Sequence, residues 1–343
     1  MNFTKIVYHS LLLVAALFSG CAGDDVYIAG WEDYGQSGRM PKLWKNGVTY
    51  NLTDGKKNDA VALSVFVSGE DVYAAGYDIS MFNTVARLWK NRAMQNLTVG
   101  SNLSEACSVY VSGGDVYVAG RDQNEAKLWK NGVAQNLTDG TFSACAHSIF
   151  VVGNDVYVAG REENEQKIHV AKLWKNGVAQ NLTDGMYNAK AYSVYVVGSD
   201  VYVAGYEDNS QEKSVAKLWK NGVAHNFTDG IVNAKANSVY VSGDDVYVAG
   251  YEVNAQRQKR TFARLWKNDV AQNLTDGTSK AEACSVFVSD KNVYVAGYEM
   301  NMEEITVGMY IEGVYVAKVW KNGVAQRLSN GKKGAMALSV FVK

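Results

Sequence analysis

The residues of this chain that could serve as nucleophiles, general bases or metal ligands are few and widely spaced. His147, His169 and His225 show neither His-x-His nor His-Glu-x-x-His spacing, and the chain has no Gly-x-Ser-x-Gly nucleophile motif. The sequence therefore predicts no catalytic residue, no metal site and no cofactor.

The cysteines offer a second kind of chemistry, because Cys107, Cys145 and Cys284 all lie beyond residue 21. An odd number of cysteines in an exported protein leaves at least one thiol unpaired. Cys107 and Cys145 fall in adjacent copies of a repeat, so the sequence allows a disulfide between them but does not favour it.

Acidic and basic residues recur once in every copy of that repeat. The acids are Glu32, Asp78, Asp122, Glu162, Glu207, Glu252 and Glu299. The bases are Lys42, Arg87, Lys127, Lys172, Lys217, Arg264 and Lys318. We expect cross-strand ion pairs, each contributing roughly 0.2–1 kcal/mol. A calcium site or a catalytic pair is disfavoured, because metal sites gather several oxygen ligands locally.

A tryptophan also recurs in every copy, within the phrase Leu-Trp-Lys-Asn or Val-Trp-Lys-Asn. The seven residues are Trp44, Trp89, Trp129, Trp174, Trp219, Trp266 and Trp320. They could form a ring of sugar-stacking platforms. An identical large aromatic in each copy is better explained by packing between neighbouring sheets, given the area that tryptophan buries.

Positions that vary between copies are better candidates for a site, because a site must differ from the repetition of its scaffold. The residue after Ala-Gly is Trp31, Tyr77, Arg121, Arg161, Tyr206, Tyr251 or Tyr298. The residue within Ala-x-Ser is Leu63, Cys107, His147, Tyr192, Asn237, Cys284 or Leu338. We predict that the first set, with His147, Tyr192 and Asn237, binds a ligand. The alternative is that these residues vary between copies only because they are exposed loop positions, with no role in binding.

The elements that carry these residues follow from the repeat itself, whose seven copies are spaced by roughly 45 residues. Residues 193–230 contain four alternating segments, SVYVVG, DVYVAGYE, VAKLWKN and VAHNFT, each typical of a β-strand. Five copies place Asn-Gly in the last turn, whereas Asn91-Arg92 and Asn268-Asp269 should strain or reshape it. The sequence predicts an all-β, seven-bladed β-propeller with four antiparallel strands per blade.

The two ends of the repeat array predict how the ring closes. The repeated part begins at residue 25 with a second strand and ends at residue 343 with a first strand. We expect the C-terminal strand to join three N-terminal strands as the innermost member of their blade, which leaves no open sheet edge. The short turns and the variable turns should then lie at opposite rims.

The N-terminal segment is predicted to lie outside the propeller. Residues 1–20 contain Lys5 and the apolar run LLLVAALF, which is typical of a removable export signal. The ending LFSGC resembles a bacterial lipobox, which implies acylation of Cys21 and a tether over residues 21–24. Residues 25–343 then form the propeller. We expect a lipid-anchored protein of the bacterial cell envelope, at the outer membrane or cell surface, that touches the membrane through this lipid only.

Composition narrows the partners. Apolar residues make up 47% and charged residues 20% of the chain, which is a balance that buries a large core. The net charge is -1, and no basic block interleaves with aromatics as a phosphate-tracking groove requires. We therefore expect a monomer that binds no nucleic acid.

The phrase VYVAGY at residues 201–206 resembles the units of bacterial β-propeller repeat proteins, and this resemblance covers the chain from residue 25 onwards. The repeats lack the WD, kelch and Asp-box signatures of other propellers. The resemblance therefore implies a fold and no activity. Our first hypothesis is a binding module for a glycan or protein ligand at the variable rim. The alternatives are a carbohydrate-active lyase or glycoside hydrolase and a structural subunit of an envelope complex.

The last copy carries the longest insertion, between Met300 and Val314. We expect it to add a hairpin over the variable rim, where it could contact a partner.

Overall fold

The computed structural model describes residues 23–34, 38–54, 59–80, 83–99, 103–257, 260–307 and 310–343, and of residues 80, 302–307 and 310–312 only the backbone. Within these ranges the chain forms seven sheets of four antiparallel strands. They contain no helix long and apolar enough to cross a membrane. The predicted seven-bladed β-propeller is confirmed. The predicted signal peptide (residues 1–20) and the lipidation site Cys21 lie outside the described residues.

The first blade combines both ends of the repeat array. From the innermost strand outwards, it consists of β28 (Ala335–Val342), β1 (Val26–Asp33), β2 (Arg39–Lys45) and β3 (Val48–Asn51).

Blades 2 to 7 run from the innermost to the outermost strand in chain order. Blade 2 consists of β4 (Asp59–Ser68), β5 (Asp71–Ser80), β6 (Asn83–Lys90) and β7 (Ala93–Asn96). Blade 3 consists of β8 (Ser104–Ser112), β9 (Asp115–Asp122), β10 (Glu125–Lys130) and β11 (Val133–Asn136). Blade 4 consists of β12 (Ala144–Val152), β13 (Asp155–Glu163), β14 (His169–Lys175) and β15 (Val178–Asn181).

The last three blades follow the same plan. Blade 5 consists of β16 (Ala189–Val197), β17 (Asp200–Asp208), β18 (Ser214–Lys220) and β19 (Val223–Asn226). Blade 6 consists of β20 (Ala234–Ser242), β21 (Asp245–Val253), β22 (Thr261–Lys267) and β23 (Val270–Asn273). Blade 7 consists of β24 (Ala281–Ser289), β25 (Asn292–Val307), β26 (Tyr310–Lys321) and β27 (Val324–Arg327).

The innermost strands close into a ring around a central channel, because each one packs against the innermost strands of both neighbouring blades. Closure occurs as predicted. Val26 pairs with Val342 and Ile28 pairs with Val340. The backbone N–H of Asp25 also donates to the carbonyl oxygen of Lys343 at 2.8 Å. No sheet edge is left open between the first and last blades.

Every innermost strand carries a β-bulge at the variable residue of Ala-x-Ser, which we call the bulge residue. A bulge leaves one residue unpaired and bends the strand, so it redirects that side chain. The bulge residues are Leu63, Cys107, His147, Tyr192, Asn237, Cys284 and Leu338, and all are half-buried.

The repeated tryptophans pack between blades, as predicted. All seven are at most 1% exposed. Trp174 of blade 4 lies among Tyr117, Ala119 and Leu128 of blade 3, and the equivalent cluster recurs at the other interfaces. These side chains are therefore part of the scaffold and are not exposed stacking platforms.

The last turn of each blade keeps one geometry whatever its sequence. Asn176 and Gly177 adopt φ angles of 51° and 82°. At the two exceptions, Arg92 and Asp269 occupy the glycine position with φ angles of 72° and 69°. These turns are strained and not reshaped, since left-handed backbone is unfavourable for residues with a Cβ.

The insertion in blade 7 extends strands β25 and β26 as one hairpin. Their backbone pairing runs past Met300 opposite Tyr315 to Val307 opposite Tyr310. The hairpin lengthens the end of the second strand and the start of the third, which places it at the variable rim, as expected.

Candidate ligand-binding site

The residues after Ala-Gly, here called rim residues, lie at the end of the second strand, each opposite a residue of the innermost strand. Tyr206 pairs with Lys190, and Arg161 pairs with Cys145. We call these partners inner-rim residues, and each lies two residues before a bulge residue. They are Val61, Glu105, Cys145, Lys190, Lys235, Glu282 and Met336. The variable positions therefore converge at one end of the channel.

An aromatic collar crosses the channel below the bulge residues. Its members follow the bulge residues by three positions and are Phe66, Tyr110, Phe150, Tyr195, Tyr240, Phe287 and Phe341. Consecutive ring centroids are 4.7 to 5.1 Å apart around the whole circle. Such spacing is favourable for tilted aromatic pairs. The collar lines the channel as a closed ring of aromatic side chains beneath the variable mouth.

Three cations of blades 4 to 6 approach one another at this mouth, namely Arg161, Lys190 and Lys235. Burial, followed by repulsion from Arg161 and Lys235, lowers the pKa of Lys190 to about 8. Burial also lowers the pKa of Lys235, although the carboxylates of Glu282 and Asp208 act in the opposite direction. Within the described part of the chain, none of the three forms an ion pair with a carboxylate. We call this group the basic sector.

Aromatic side chains line the basic sector. The ring of Tyr192 lies 5.3 Å from that of His147 and 5.8 Å from that of Tyr206. Nζ of Lys235 lies 4.0 Å from the centroid of Tyr206, which is a close cation–π contact. Burial raises the pKa of Tyr206 to about 12 and also raises that of Tyr192. Both phenols therefore stay neutral hydrogen-bonding groups at physiological pH.

A neutral histidine holds Arg161 in place. The guanidinium nitrogen Nη1 of Arg161 lies 3.2 Å from Nδ1 of His169. Burial, together with the charges of Arg161 and Lys190, lowers the pKa of His169 to about 4. The unprotonated imidazole accepts a hydrogen bond from the guanidinium group and adds no positive charge.

An open cleft of about 470 Å³ continues from the basic sector towards blade 7. Its lining is of mixed charge and includes Tyr251, the lysines Lys235 and Lys280, and the acids Asp208, Glu212 and Glu282. Glu282 accepts hydrogen bonds from Asn237 Nδ2 at 2.8 Å and from the Tyr298 hydroxyl at 2.6 Å. Burial, assisted by Glu282, raises the pKa of Tyr298. Asn237 and Tyr298 therefore hold Glu282, whereas Tyr251 lines the cleft itself.

Blade 3 contributes a paired arginine. Arg121 donates to both carboxylate oxygens of Glu105, at 2.9 and 3.1 Å. The thiols of Cys107 and Cys145 lie beside this pair, with their Sγ atoms 3.9 Å apart, and no disulfide joins them. The hydrogen bond from Cys107, helped by His147 and Arg121, holds the pKa of Cys145 well below its usual range.

Trp31 and Tyr77 belong to a separate cluster on blades 1 and 2. Arg39 lies 5.7 Å from the Trp31 ring and forms an ion pair with Asp59 at 2.8 Å. The inner-rim partners of Trp31 and Tyr77 are Met336 and Val61, which are apolar. The channel mouth is thus apolar on one side and cationic on the other.

The repeated acids and bases form ion pairs in six blades, as predicted, with Lys172 and Glu162 at 2.8 Å as an example. Blade 3 is the exception. There Lys127 pairs with Glu125, while Asp122 accepts a hydrogen bond from Ser104 at 2.7 Å. The short turn of blade 3 places Glu125 nearer to Lys127, so it replaces the expected partner.

Sequence reasoning missed the inner-rim residues, including the unrepeated acids Glu105 and Glu282 and the cations Lys190 and Lys235. A signal was present, since Ala-x-Ala-x-Ser varies at both of its internal positions. The bulge between these positions brings both side chains to the channel mouth. Strict alternation along a strand does not predict that outcome.

Other clefts have different surroundings. A cleft between blades 1 and 2 at the opposite rim is lined by Tyr27, Leu43, Lys45 and Trp89, which are scaffold types repeated in other blades. Two clefts on the outer part of the variable rim, at blades 6 and 7, include Arg257 and Arg327. The basic sector differs from all of these because its cations face the channel.

No protein-family model matches the chain, and no curated protein sequence matches it. Among solved structures, the chain is similar to one titled "Structure of YjhT". The two share 11% sequence identity with a TM-score of 0.45, over 77% of this chain and 96% of that chain.

Proposed function

We propose that this propeller is a binding module for an anionic glycan, bound at the basic sector of the channel mouth. The observation that carries the proposal is the grouping of Arg161, Lys190 and Lys235 on blades 4 to 6 with no ion pair among the described residues, although Glu282 and Asp208 partly offset the charge of Lys235. Cations held together in this way raise the free energy of the folded protein. A bound anion would relieve their mutual repulsion.

The surroundings support a sugar as the carrier of that anion. Tyr192 and Tyr251 supply flat apolar faces with neutral hydroxyl groups, the combination that suits a pyranose ring, whereas Tyr206 is only 5% exposed and packs behind Tyr192. Arginine binds a carboxylate through two parallel hydrogen bonds. The aromatic collar makes the mouth concave, and a concave site favours a sugar chain over the flat surface of a folded protein.

The proposal extends to location. We propose that acylation of Cys21 holds the protein at the bacterial cell envelope, where acidic polysaccharides would reach the channel mouth. Replacement of Cys21 by Ser should abolish the incorporation of radiolabelled palmitate and release the protein from membranes. Labelling that persists in the variant would refute this anchor.

Isothermal titration calorimetry with uronate oligosaccharides and their neutral counterparts tests the ligand. We expect binding of the acidic sugars only, weakened by salt. Lys190→Gln should lower the affinity about tenfold, the equivalent of roughly 1.4 kcal/mol. The matched control is Lys220→Gln, which removes an exposed lysine of the same blade at the opposite rim and should leave the affinity unchanged.

Two further variants decide whether the mouth is the site. Tyr192→Ala should weaken binding because it removes a stacking surface, and Tyr206→Ala should weaken it because it removes the buried ring against which Tyr192 and Lys235 pack. Acidic sugars that bind both variants as well as the parent would refute the site. Capture of an envelope protein through Lys190 and Tyr192, with no binding of acidic sugars, would refute the glycan and identify a protein ligand.

A further inference from the structure

Three metal-ligating side chains meet on the channel wall where blades 3 and 4 adjoin. Sγ of Cys107 lies 3.9 Å from Sγ of Cys145. The carboxylate of Glu105 joins them, and one ligand atom from each residue lies within 4.8 Å of the others. Cys145 is 3% exposed, and the other two side chains are half-buried. We propose that this cluster is a binding site for a thiolate-preferring divalent cation of the Zn²⁺ class.

The spacing of the two sulfurs fits a tetrahedral metal. Two thiolates bound to Zn²⁺ at about 2.3 Å, with a tetrahedral angle between them, are about 3.8 Å apart. The 3.9 Å separation of Cys107 and Cys145 matches that edge. A disulfide requires about 2.0 Å between the sulfurs. The side chains are thus placed for a shared ion with little movement.

His147, the bulge residue of blade 4, is a nearby nitrogen donor, but it lies outside the group of three residues whose ligand atoms are within 4.8 Å of one another. Its Nδ1 lies 2.8 Å from the carbonyl oxygen of Ala191, and a carbonyl oxygen only accepts hydrogen bonds, so Nδ1 carries the proton. This leaves the lone pair on Nε2, so His147 would complete the coordination of a bound ion only after its side chain moved towards the three ligands. A backbone carbonyl that fixes the tautomer in this way is the usual outer partner of a metal-binding histidine.

The charges around the cluster also fit a divalent cation. Two thiolates and the Glu105 carboxylate carry three negative charges, so a bound M²⁺ leaves a net charge of -1. Arg121, which donates two hydrogen bonds to Glu105, supplies the compensating positive charge. Binding releases the protons of any protonated thiols to solvent, so the affinity should fall as the pH falls.

Sequence spacing did not predict this site, because Cys107 and Cys145 are 38 residues apart and belong to different blades. The inner-rim position of one blade meets the bulge position of its neighbour only when the ring is formed. The metal site adjoins the basic sector, since Cys145 pairs with Arg161 along the strands, but its ligands include none of Arg161, Lys190 and Lys235, so the two proposals are tested by different variants.

Cobalt(II) titration of the reduced full chain tests the proposal. Co²⁺ bound by thiolates shows a charge-transfer band in the near ultraviolet and strong visible absorption when tetrahedral. We expect both bands, and their loss when Zn²⁺ is added. Cys107→Ser and Cys145→Ser each remove one of the two thiolate ligands. Each variant should therefore lose the charge-transfer band and bind Zn²⁺ at least about 100-fold more weakly.

Cys284→Ser is the matched control, because Cys284 is a free thiol at the bulge position of blade 7. This variant should keep both bands and the full Zn²⁺ affinity. Thermal unfolding gives a second readout that does not depend on colour, since a ligand that binds the folded state raises the Tm. Zn²⁺ should raise the Tm of the parent and of Cys284→Ser, and not that of Cys107→Ser.

Three results would overturn the inference. One is Co²⁺ absorption without a thiolate band, and another is a band that survives both Cys107→Ser and Cys145→Ser. The third concerns the protein isolated from the cell envelope without reductant. If thiol titration and peptide mapping find Cys107 linked to Cys145 by a disulfide, the pair is a covalent crosslink and not a metal site.

Discussion

The hydroxyl of Ser339 accepts a hydrogen bond from the backbone N–H of Val65 at 3.2 Å, although the two residues are 274 positions apart. The same bond recurs between each pair of neighbouring blades, always from the residue after the repeated serine to the serine of the preceding blade. Seven such bonds form a closed ring around the channel. This role explains why serine recurs beside the variable bulge residue.

Removing one member of this ring should cost stability. Ser339→Ala and Ser148→Ala should each lower the free energy of unfolding by about 1 kcal/mol, because each leaves a backbone N–H unpaired at a blade interface. Urea denaturation measures both. Equal losses would show that this hydrogen bond stabilises the blade made from both chain ends as much as it stabilises an internal blade. No loss of stability in either variant would contradict the proposed role of the ring.

The glycine before each rim residue should tolerate no side chain. A Cβ at Gly205 would overlap the carbonyl oxygen of Lys190 and lie 3.0 Å from Cζ3 of Trp219. Gly205→Ala should therefore lower the free energy of unfolding by more than about 3 kcal/mol, because both neighbours are fixed.

The control for Gly205→Ala is Gly198→Ala. Gly198 has a φ of 57° but no atom within 4 Å of an added Cβ. That change should cost about 1 kcal/mol from backbone strain alone. Equal costs for the two variants would show that crowding at the bulge is not what selects glycine.

Lys190 should reduce stability near neutral pH. Its pKa is about 8 in the folded protein and 10.5 in the reference state, so the unfolded chain binds more protons between these values. The penalty is present in full below pH 8 and disappears as the pH rises towards 10.5. Lys190→Met should raise the free energy of unfolding by roughly 1–2 kcal/mol at pH 7, after allowance for solvent screening.

Denaturation at pH 7 and pH 9.5 measures this effect. The advantage of Lys190→Met should shrink at the higher pH. The control is Lys220→Met, which removes a lysine paired with Asp200 at 2.8 Å and should give no gain at pH 7. An advantage of Lys190→Met that does not depend on pH would show that the charge of Lys190 is not its cause.

Glycine substitutions in the two strained turns should stabilise the protein. Arg92 and Asp269 occupy left-handed positions that glycine fills in the other blades. Replacing both by Gly should raise the free energy of unfolding by about 1 kcal/mol, because relief of strain exceeds the added freedom of the unfolded chain. Differential scanning calorimetry should show a higher Tm for the double variant, and an unchanged or lower Tm would contradict this account of the turns.

The scaffold could be predicted because its determinants are local and repeated. The alternation in DVYVAG and the Asn-Gly turns specify strands and hairpins from neighbouring residues. The array of seven copies starts with the second strand of a unit and ends with the first strand of one. Pairing of β28 with β1 is therefore the arrangement that leaves no sheet edge open. The buried tryptophans follow from the same repetition. These features need no knowledge of which blades face each other across the channel.

The candidate site could be predicted only in part, because it depends on neighbours that are distant along the chain. Variation between copies located the rim and bulge residues, of which Arg161, Tyr192 and Tyr251 lie at the mouth, whereas Tyr206 is buried at 5% exposure. The bulge was not foreseen. It adds one residue to the innermost strand and brings the inner-rim position to the channel beside it.

The sequence by itself determined seven equivalent sheets, their order around the ring and the rim at which they differ. Tertiary structure alone decided which of the differing side chains meet: Lys190 with Arg161 and Lys235, and Cys107 with Cys145. The physical reason is that strand formation depends on short-range periodicity. Contacts across blade interfaces depend instead on strand twist, bulges and ring closure, which are determined by residues along the whole chain.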